Sequence, residues 1–378
     1  MSQAPAPSET AGRYARLAAL LEQDPDNVRL IADAAEAAFA EDRFKDAEAL
    51  LDRHARIAAL PPQALHLAGL SAMRRQDWQV AADRLAQLMA QGEDAPAIRF
   101  NRAWSLAMAK QFDAALALLD DATVETLPQA AQLLVQLLHD KGDFDAAAAQ
   151  ARRLFALHPD HRGLGAAVST LAIDVEDIDL ARRAAEAAGD HPDALATLGT
   201  LALGDDDPVE AERFFDAALA RAPASPRAWI GHGLVTLLGD DKRRAASEID
   251  KGAELFGTHL GSWIAAGWAH VLAGDPATGK QRFETCLALD DSFAEAHGSL
   301  AVTDMLEGKL DQARQRCEVA LRLDRQCFSG ALAATLLSAG AGDADTAKRI
   351  FEKALHTPVD ASGRTVAQAL ARMGTRLG

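Results

Sequence analysis

The sequence repeats itself every 34 residues, and that period constrains the fold more than any other feature. Stretches beginning at Pro192, Pro226, Leu260, Ala294 and Phe328 each start 34 residues after the one before. At the twentieth place they carry Ala211, Ala245, Gly279, Ala313 and Ala347. At the twenty-fourth come Phe215, Ile249, Phe283, Cys317 and Phe351, and at the twenty-seventh Ala218, Gly252, Cys286, Ala320 and Ala354. Small, bulky and small residues at fixed offsets describe a stacked array of helical hairpins. Small residues at places 8 and 20 let the two helices of a hairpin approach closely, and the bulky residue at place 24 fills the space towards the next hairpin. Gly199, Gly233 and Gly267 hold place 8, with Ala301 in the fourth stretch, and Gly274, Gly308 and Gly342 turn the chain near place 15.

The same frame extends towards the N-terminus. Phe44-Lys45-Asp46-Ala47, Trp78-Gln79-Val80-Ala81, Phe112-Asp113-Ala114-Ala115 and Phe144-Asp145-Ala146-Ala147 repeat one aromatic-x-x-Ala step. They imply units starting near Val28, Pro62, Pro96, Pro128 and Arg162, the last only 30 residues long because the next begins at Pro192. About ten hairpins follow. Composition agrees with helix: Ala and straight-chain residues abound, Tyr occurs once, and 49% of residues are hydrophobic against 25% charged.

These residues resemble the tetratricopeptide repeat family. Trp229 with Gly233, Trp263 with Gly267, and Leu198-Gly199 with Ala211, Phe215 and Ala218 carry the likeness. His297 and Ala331 depart from the aromatic at place 4, and place 32 is rarely Pro in the C-terminal half. The resemblance implies an all-α superhelical solenoid that binds proteins rather than catalyses a reaction. The expected organisation is a disordered stretch at 1–9, a capping helix within 10–27, and a first array at 28–191 of about five repeats, the last irregular. A second array of five repeats at 192–359 and a capping helix at 360–378 complete it. Caps are needed because an end repeat exposes an apolar face that no neighbour covers.

The resemblance also implies that places 2, 5, 6, 9, 12 and 13 face a concave groove. In the C-terminal half these are Ile230, Leu234 and Leu237, then Ile264, Trp268 and Val271, then Val302 and Met305, then Leu332 and Leu336. An apolar groove of this kind takes an amphipathic helix or an extended segment with apolar anchors. Leu at helical spacing is equally the mark of inter-helix core, and both readings stand. Trp268 is the informative residue, since Trp263 already fills the family's structural aromatic place. In the N-terminal half the same places hold Arg29, Asp33, Glu36, His66, Leu70, Met73, Arg74, Asn101, Trp104, Gln132, Gln136 and His139, a more polar surface. Asn101 stands at the place of one Asn with which some family members hold a peptide carboxylate, but no matching Lys–Asn set adjoins it, so no such clamp is expected.

The formal net charge of −16 opposes nucleic acid or an anionic membrane as partner. No run of about 18 apolar residues is present, so no membrane insertion is expected. The N-terminus lacks a basic and then apolar leader pattern, and Cys286, Cys317 and Cys327 read as reduced thiols, which together suggest a cytoplasmic protein. Cys286 and Cys317 hold packing places, whereas Cys327 sits at a repeat junction that can be exposed. The Ala/Arg/Asp-rich composition is of a bacterial type. His158-Pro159-Asp160-His161 is the nearest approach to a metal site and falls short of the three or four firm ligands that zinc requires. The acidic runs at Asp205–Asp207 and Asp240–Asp241 read as turn and helix-cap residues, not calcium ligands. No catalytic residues, cofactor or metal are expected. The partner is expected to be a protein or peptide, with an enzyme such as a glycosyl- or sulfotransferase served by an accessory subunit, or a homodimer, as alternatives.

Overall fold

The computed structural model describes residues 12–340, and beyond them 343, 345, 346, 349 and 351. The described residues form helices and turns, with no strand among them. The chain divides into two compact units, Met1–His158 and Pro159–Gly378. The expected segments at 1–9 and 360–378 lie outside the described residues.

In the first unit α1 (Arg13–Leu21) precedes four hairpins. These are α2 (Val28–Ala40) with α3 (Phe44–Ile57), α4 (Pro62–Arg74) with α5 (Trp78–Ala90), α6 (Pro96–Met108) with the short α7 (Phe112–Leu116) and α8 (Asp121–Thr126), and α9 (Pro128–Asp140) with α10 (Phe144–Leu157). Helix α1 packs Leu17 and Leu21 against Ile31 and Ala34 of α2. The second unit stacks α11 (Arg162–Asp174) with α12 (Ile178–Ala188), α13 (Pro192–Gly204) with α14 (Pro208–Arg221), α15 (Pro226–Leu238) with α16 (Lys242–Phe256), α17 (Leu260–Leu272) with α18 (Pro276–Leu289), and α19 (Ala294–Leu306) with α20 (Leu310–Leu323). Then comes α21 (Phe328–Ala339). The first helices begin at the residues where the repeat frame starts each unit.

One backbone device closes most hairpins. Place 15 is left-handed at Asp42, Gln76, Lys110, Gly142, Glu176, Asp206, Gly274 and Gly308. The amide that follows it donates to a carbonyl five residues earlier, as in Arg43 N to Ala38 O at 2.8 Å and Asp177 N to Ala172 O at 2.8 Å. This exchange satisfies a carbonyl that a helix end would leave bare and reverses the chain. Asp207 and Asp241, within the acidic runs, then accept from Glu210 N and Arg244 N at 3.0 Å and start the second helices.

Two units depart from the pattern. The helix after α7 breaks because Asp120 accepts from Thr123 N at 3.0 Å and starts α8, while Arg99 ties Asp120 to Asp94. The Arg162 unit is short because α12 ends at Gly189, whose φ of 65° few other residues adopt at low cost.

Close packing depends on absent side chains. Phe215 of α14 lies where a Cβ on Gly199 would come within 2.7 Å of its Cε1, and it equally overlaps a Cβ built on Gly231 of α15. One ring thus joins its own hairpin to the next. Charged residues along the same stack are paired inside it. Asp250 accepts from Arg282 Nε and Nη2 at 2.8 Å, and His270 Nε2 lies 2.8 Å away. Asp304, with its side chain 1% exposed, meets Lys280 Nζ at 2.7 Å and Arg316 Nε at 2.9 Å. Burial alone raises the Asp250 carboxyl, but hydrogen bonds from His270 and Arg282 outweigh it and hold the group below the ordinary carboxylate range.

Gly199→Ala is expected to cost about 1–3 kcal/mol through overlap with Phe215. Gly204→Ala, at an exposed end of α13 with open space around it, is expected to be neutral or to stabilise by about 0.5–1 kcal/mol. Urea unfolding of both variants checks the contrast. A carboxyl held low in the folded state stabilises it above the unfolded value, about pH 4, and that contribution fades as the pH falls through the folded value. Urea midpoints at pH 7 and pH 3 should therefore drop less between the two conditions for Asp250→Asn than for wild type, although the variant is the weaker protein at pH 7.

Candidate partner-binding cleft

Within the second unit the first helices α11, α13 and α15 lie side by side, and their shared face is open. The cleft there has a volume of about 540 Å³, part of it solvent. Its walls are Thr170 and Ile173 of α11, Ala196, Thr197 and Thr200 of α13, and Arg227, Ile230, Gly231 and Leu234 of α15. Phe256 and His259 close one end. The residues from α11, α13 and α15 all sit at places 2, 5, 6, 9 or 12 of their units, one face of a 3.6-residue period.

The cleft is electrically neutral and rich in donors. Arg227 Nη2 donates to Asp174 Oδ2 at 3.1 Å, and its guanidinium carbon lies 5.7 Å from the Phe256 ring centre. His259 Nδ1 accepts from Ser262 N at 3.1 Å as the cap of α17, which leaves Nε2 to carry the proton of the neutral ring. Burial first, and then the nearby Arg227 charge, push the His259 ring below its ordinary value against the pull of Asp174. Thr200 donates its hydroxyl proton to Ala196 O at 3.0 Å, so its oxygen can accept from a ligand. Ile173, Ile230 and Leu234 form the cleft's apolar side, and Arg227, His259 and Thr200 its polar side. Nothing in the cleft pairs a nucleophile with a base.

Of the residues expected to line the groove, Ile230 and Leu234 reach the floor of this cleft, though at 7% and 3% exposure they belong to the buried core of the unit. Leu237, Ile264, Trp268, Val271, Val302, Met305 and Leu336 are buried in the same core and do not line the cleft, and Leu332 packs partly buried against it. They line no open surface, because α17 and α19 are buried around nearly their whole circumference. Their polar members are buried with partners, as Ser262 Oγ donates to His259 O at 2.7 Å and Asp304 meets Lys280 Nζ at 2.7 Å. Asn101 and Trp104 lie half-buried on α6 in the first unit, the Trp104 ring 6.3 Å from that of Phe100. The N-terminal face keeps its partial exposure at His66, Leu70, Met73, Gln132, Gln136 and His139. Thr197, Thr200 and Arg227 occupy groove places that sequence could have offered, but a search for apolar anchors passes over them. Thr170 lay hidden in the short unit, and His259 lies outside the groove places altogether.

Other candidates prove structural. His161 Nδ1 accepts from Leu164 N at 3.0 Å as a helix cap, and His158 Nε2 lies 3.0 Å from Val124 O. Among the described residues no three His, Cys, Asp or Glu side chains gather as metal ligands, and no helix is long and apolar enough to cross a membrane. Cys327 is buried rather than exposed, its sulfur accepting from Gly330 N at 3.2 Å, and burial pushes its thiol up to about 12.

Comparison with known proteins agrees with this architecture. The family model described as Tetratricopeptide repeat matches residues 66–131. Comparison with curated proteins gives no match. Among solved structures, a monomeric mutant of IFIT1 with m7Gppp-AAAA superposes with a TM-score of 0.56 at 12% identity, covering 98% of this chain and 96% of that one. The APC/C hetero-tetramer Cut9-Hcn1 gives 0.49 at 16% identity, covering 90% and 80%. A tetratricopeptide repeat protein from Parabacteroides merdae gives 0.45 at 13%, covering 64% and 98%. Residues 66–131 thus carry the tetratricopeptide repeat, and the hairpins, small place-8 residues and place-24 anchors of the second unit share its architecture.

Trp268 is 1% exposed, so Trp268→Ala should act first on stability. A loss of about 3–5 kcal/mol is expected in urea unfolding followed by far-ultraviolet circular dichroism.

Proposed function

We infer that this protein is a non-catalytic scaffold or adaptor that holds a segment of a partner protein in the cleft of α11, α13 and α15. The observation that carries this reading is the cleft itself, which combines an apolar floor with the polar side chains of Arg227, His259 and Thr200. Polar groups fixed around apolar walls orient a ligand, and a preformed cleft keeps the ordering cost of binding low. The neutral cleft favours an extended or helical polypeptide over a polyanion. Although IFIT1, which shares the fold, is seen with m7Gppp-AAAA, the net charge of −16 here works against such a ligand. The three buried free thiols support a reducing compartment such as the cytoplasm.

The native protein should retain a partner from a lysate of its own source. Thr200→Arg, which places a long charged side chain in the cleft, should weaken that capture about tenfold or more while leaving the unfolding midpoint nearly unchanged. Undiminished capture by a folded Thr200→Arg protein would sink the assignment to this cleft.

A further inference from the structure

Histidine caps several first helices of the second unit. Helix α11 starts at His161, whose Nδ1 accepts from Leu164 N at 3.0 Å. Helix α13 starts at His191, which accepts from Asp193 N at 3.3 Å, and α17 at His259, which accepts from Ser262 N at 3.1 Å. Between them α15 uses Ser225, whose hydroxyl oxygen accepts from Ala228 N at 3.4 Å. Ser, Asp and Asn are the ordinary residues at such a place, and near neutral pH their acceptors do not change with acidity. An imidazole nitrogen accepts only while it carries no proton, so a histidine cap holds only on a neutral ring. Helices α11 and α13 are walls of the cleft, and His259 closes its end.

The surroundings single out His259. His191 has the Asp193 carboxylate 3.8 Å from its Nδ1, whereas α17 has no acidic residue in its first turn. The charged groups that face the His259 ring are Arg227 of α15 and Asp174 of α11, and these two already pair, Arg227 Nη2 donating to Asp174 Oδ2 at 3.1 Å. From α16 the ring meets Phe256, with 4.8 Å between ring centres. A proton added at Nδ1 would break the bond to Ser262 N. It would also set a positive charge at the positive end of α17, against an apolar ring and beside a guanidinium. Burial and then the Arg227 charge accordingly hold this ring below its ordinary value, against the pull of Asp174.

We propose that His259 is a proton-operated latch on the cleft. The neutral ring caps α17, stacks on Phe256 and closes the end of the cleft. The protonated ring releases Ser262 N and swings away from Arg227, so that the end wall opens and the first turn of α17 loosens. Because the folded ring titrates below the unfolded value of about 6.5, its contribution to stability is complete above that pH and is lost as the pH falls from there towards the folded value. The Asp250 carboxyl, held below the ordinary carboxylate range, keeps its charge over the same interval. If the cleft holds a partner segment, as inferred above, loss of its end wall weakens the capture in mild acid. That last step rests on the cleft reading, and the latch itself does not.

Hydrogen–deuterium exchange of the full-length protein at about pH 7.5 and about pH 5.5, either side of the histidine range, tests the latch. With the intrinsic pH dependence of exchange removed, wild-type amides at the start of α17 should exchange about fivefold faster or more in acid. His259→Asn keeps an acceptor at the cap and removes the titration, so the same amides should exchange alike at the two pH values. No acceleration in wild type, or an equal acceleration in His259→Asn, would overturn the proposal. A second variant covers the case in which His259→Asn does not fold. Arg227→Gln removes the cation beside the ring and leaves Asp174 facing it, so the acceleration should set in at a higher pH than in wild type. An unmoved onset would count against the latch. Undiminished capture by Thr200→Arg would remove the cleft assignment without touching this exchange pattern, so the two readings fail separately.

Discussion

The stack rests on the fit between a bulky side chain in each second helix and the glycine or alanine opposite it. Phe215 shows the logic most plainly, with Gly199 on its own hairpin and Gly231 on the next both cleared to admit one ring. A pair of short helices cannot bury its apolar faces alone, so such shared anchors make each hairpin stable only in company. The first helices are thereby held at a fixed spacing, and the cleft between α11, α13 and α15 is a product of that spacing. Function on this fold is decided by what the first helices present once the anchors have placed them.

Along one edge of the second unit, place 11 carries Thr236, His270 and Asp304 in turn. Each joins a charged cluster. Thr236 donates to Glu248 at 2.8 Å, His270 meets Asp250, and Asp304 meets Lys280 and Arg316. Buried charges of this kind add modest net stability but penalise any slip in register, because a slipped helix would leave a charge unpaired inside the stack. Apolar anchors supply the cohesion and charged rungs the alignment.

The architecture was legible because its determinants are local and steric. A small residue at place 8 that faces a bulky one at place 24 cannot be exchanged freely, so the frame survives in the sequence, whereas the left-handed place 15 takes Asp42, Gln76, Lys110, Glu176 and Asp206 as readily as Gly and leaves no such mark. Chemistry can also replace identity: His297 departs from the aromatic pattern, yet its Nε2 lies 2.8 Å from Asp291 O, as Trp229 and Trp263 reach carbonyls six residues earlier. The site was less legible. Leu, Ile and Trp at groove places look the same whether a groove is open or filled, and α17 and α19 are filled. What separates the cases is burial around the whole circumference of the helix, nearly complete in α17 and α19 but relieved at Thr200 in α13. The break between α7 and α8 was hidden for another reason, since Asp120 ends one helix by starting the next.

The back-bond from place 4 bears on how the molecule comes apart. Trp229, Trp263 and His297 each clip the connection between successive hairpins to the helix that follows it. Ala331 has no side chain with which to do so. At that junction the tie is made from the other side: the Glu295 carboxylate of α19 accepts from Phe328 N at 2.6 Å and Ser329 N at 3.1 Å. In a linear array each unit is held by its neighbours, so ties at every junction from α14 to α21 make successive hairpins open together, and force applied to one is expected to be passed along the stack.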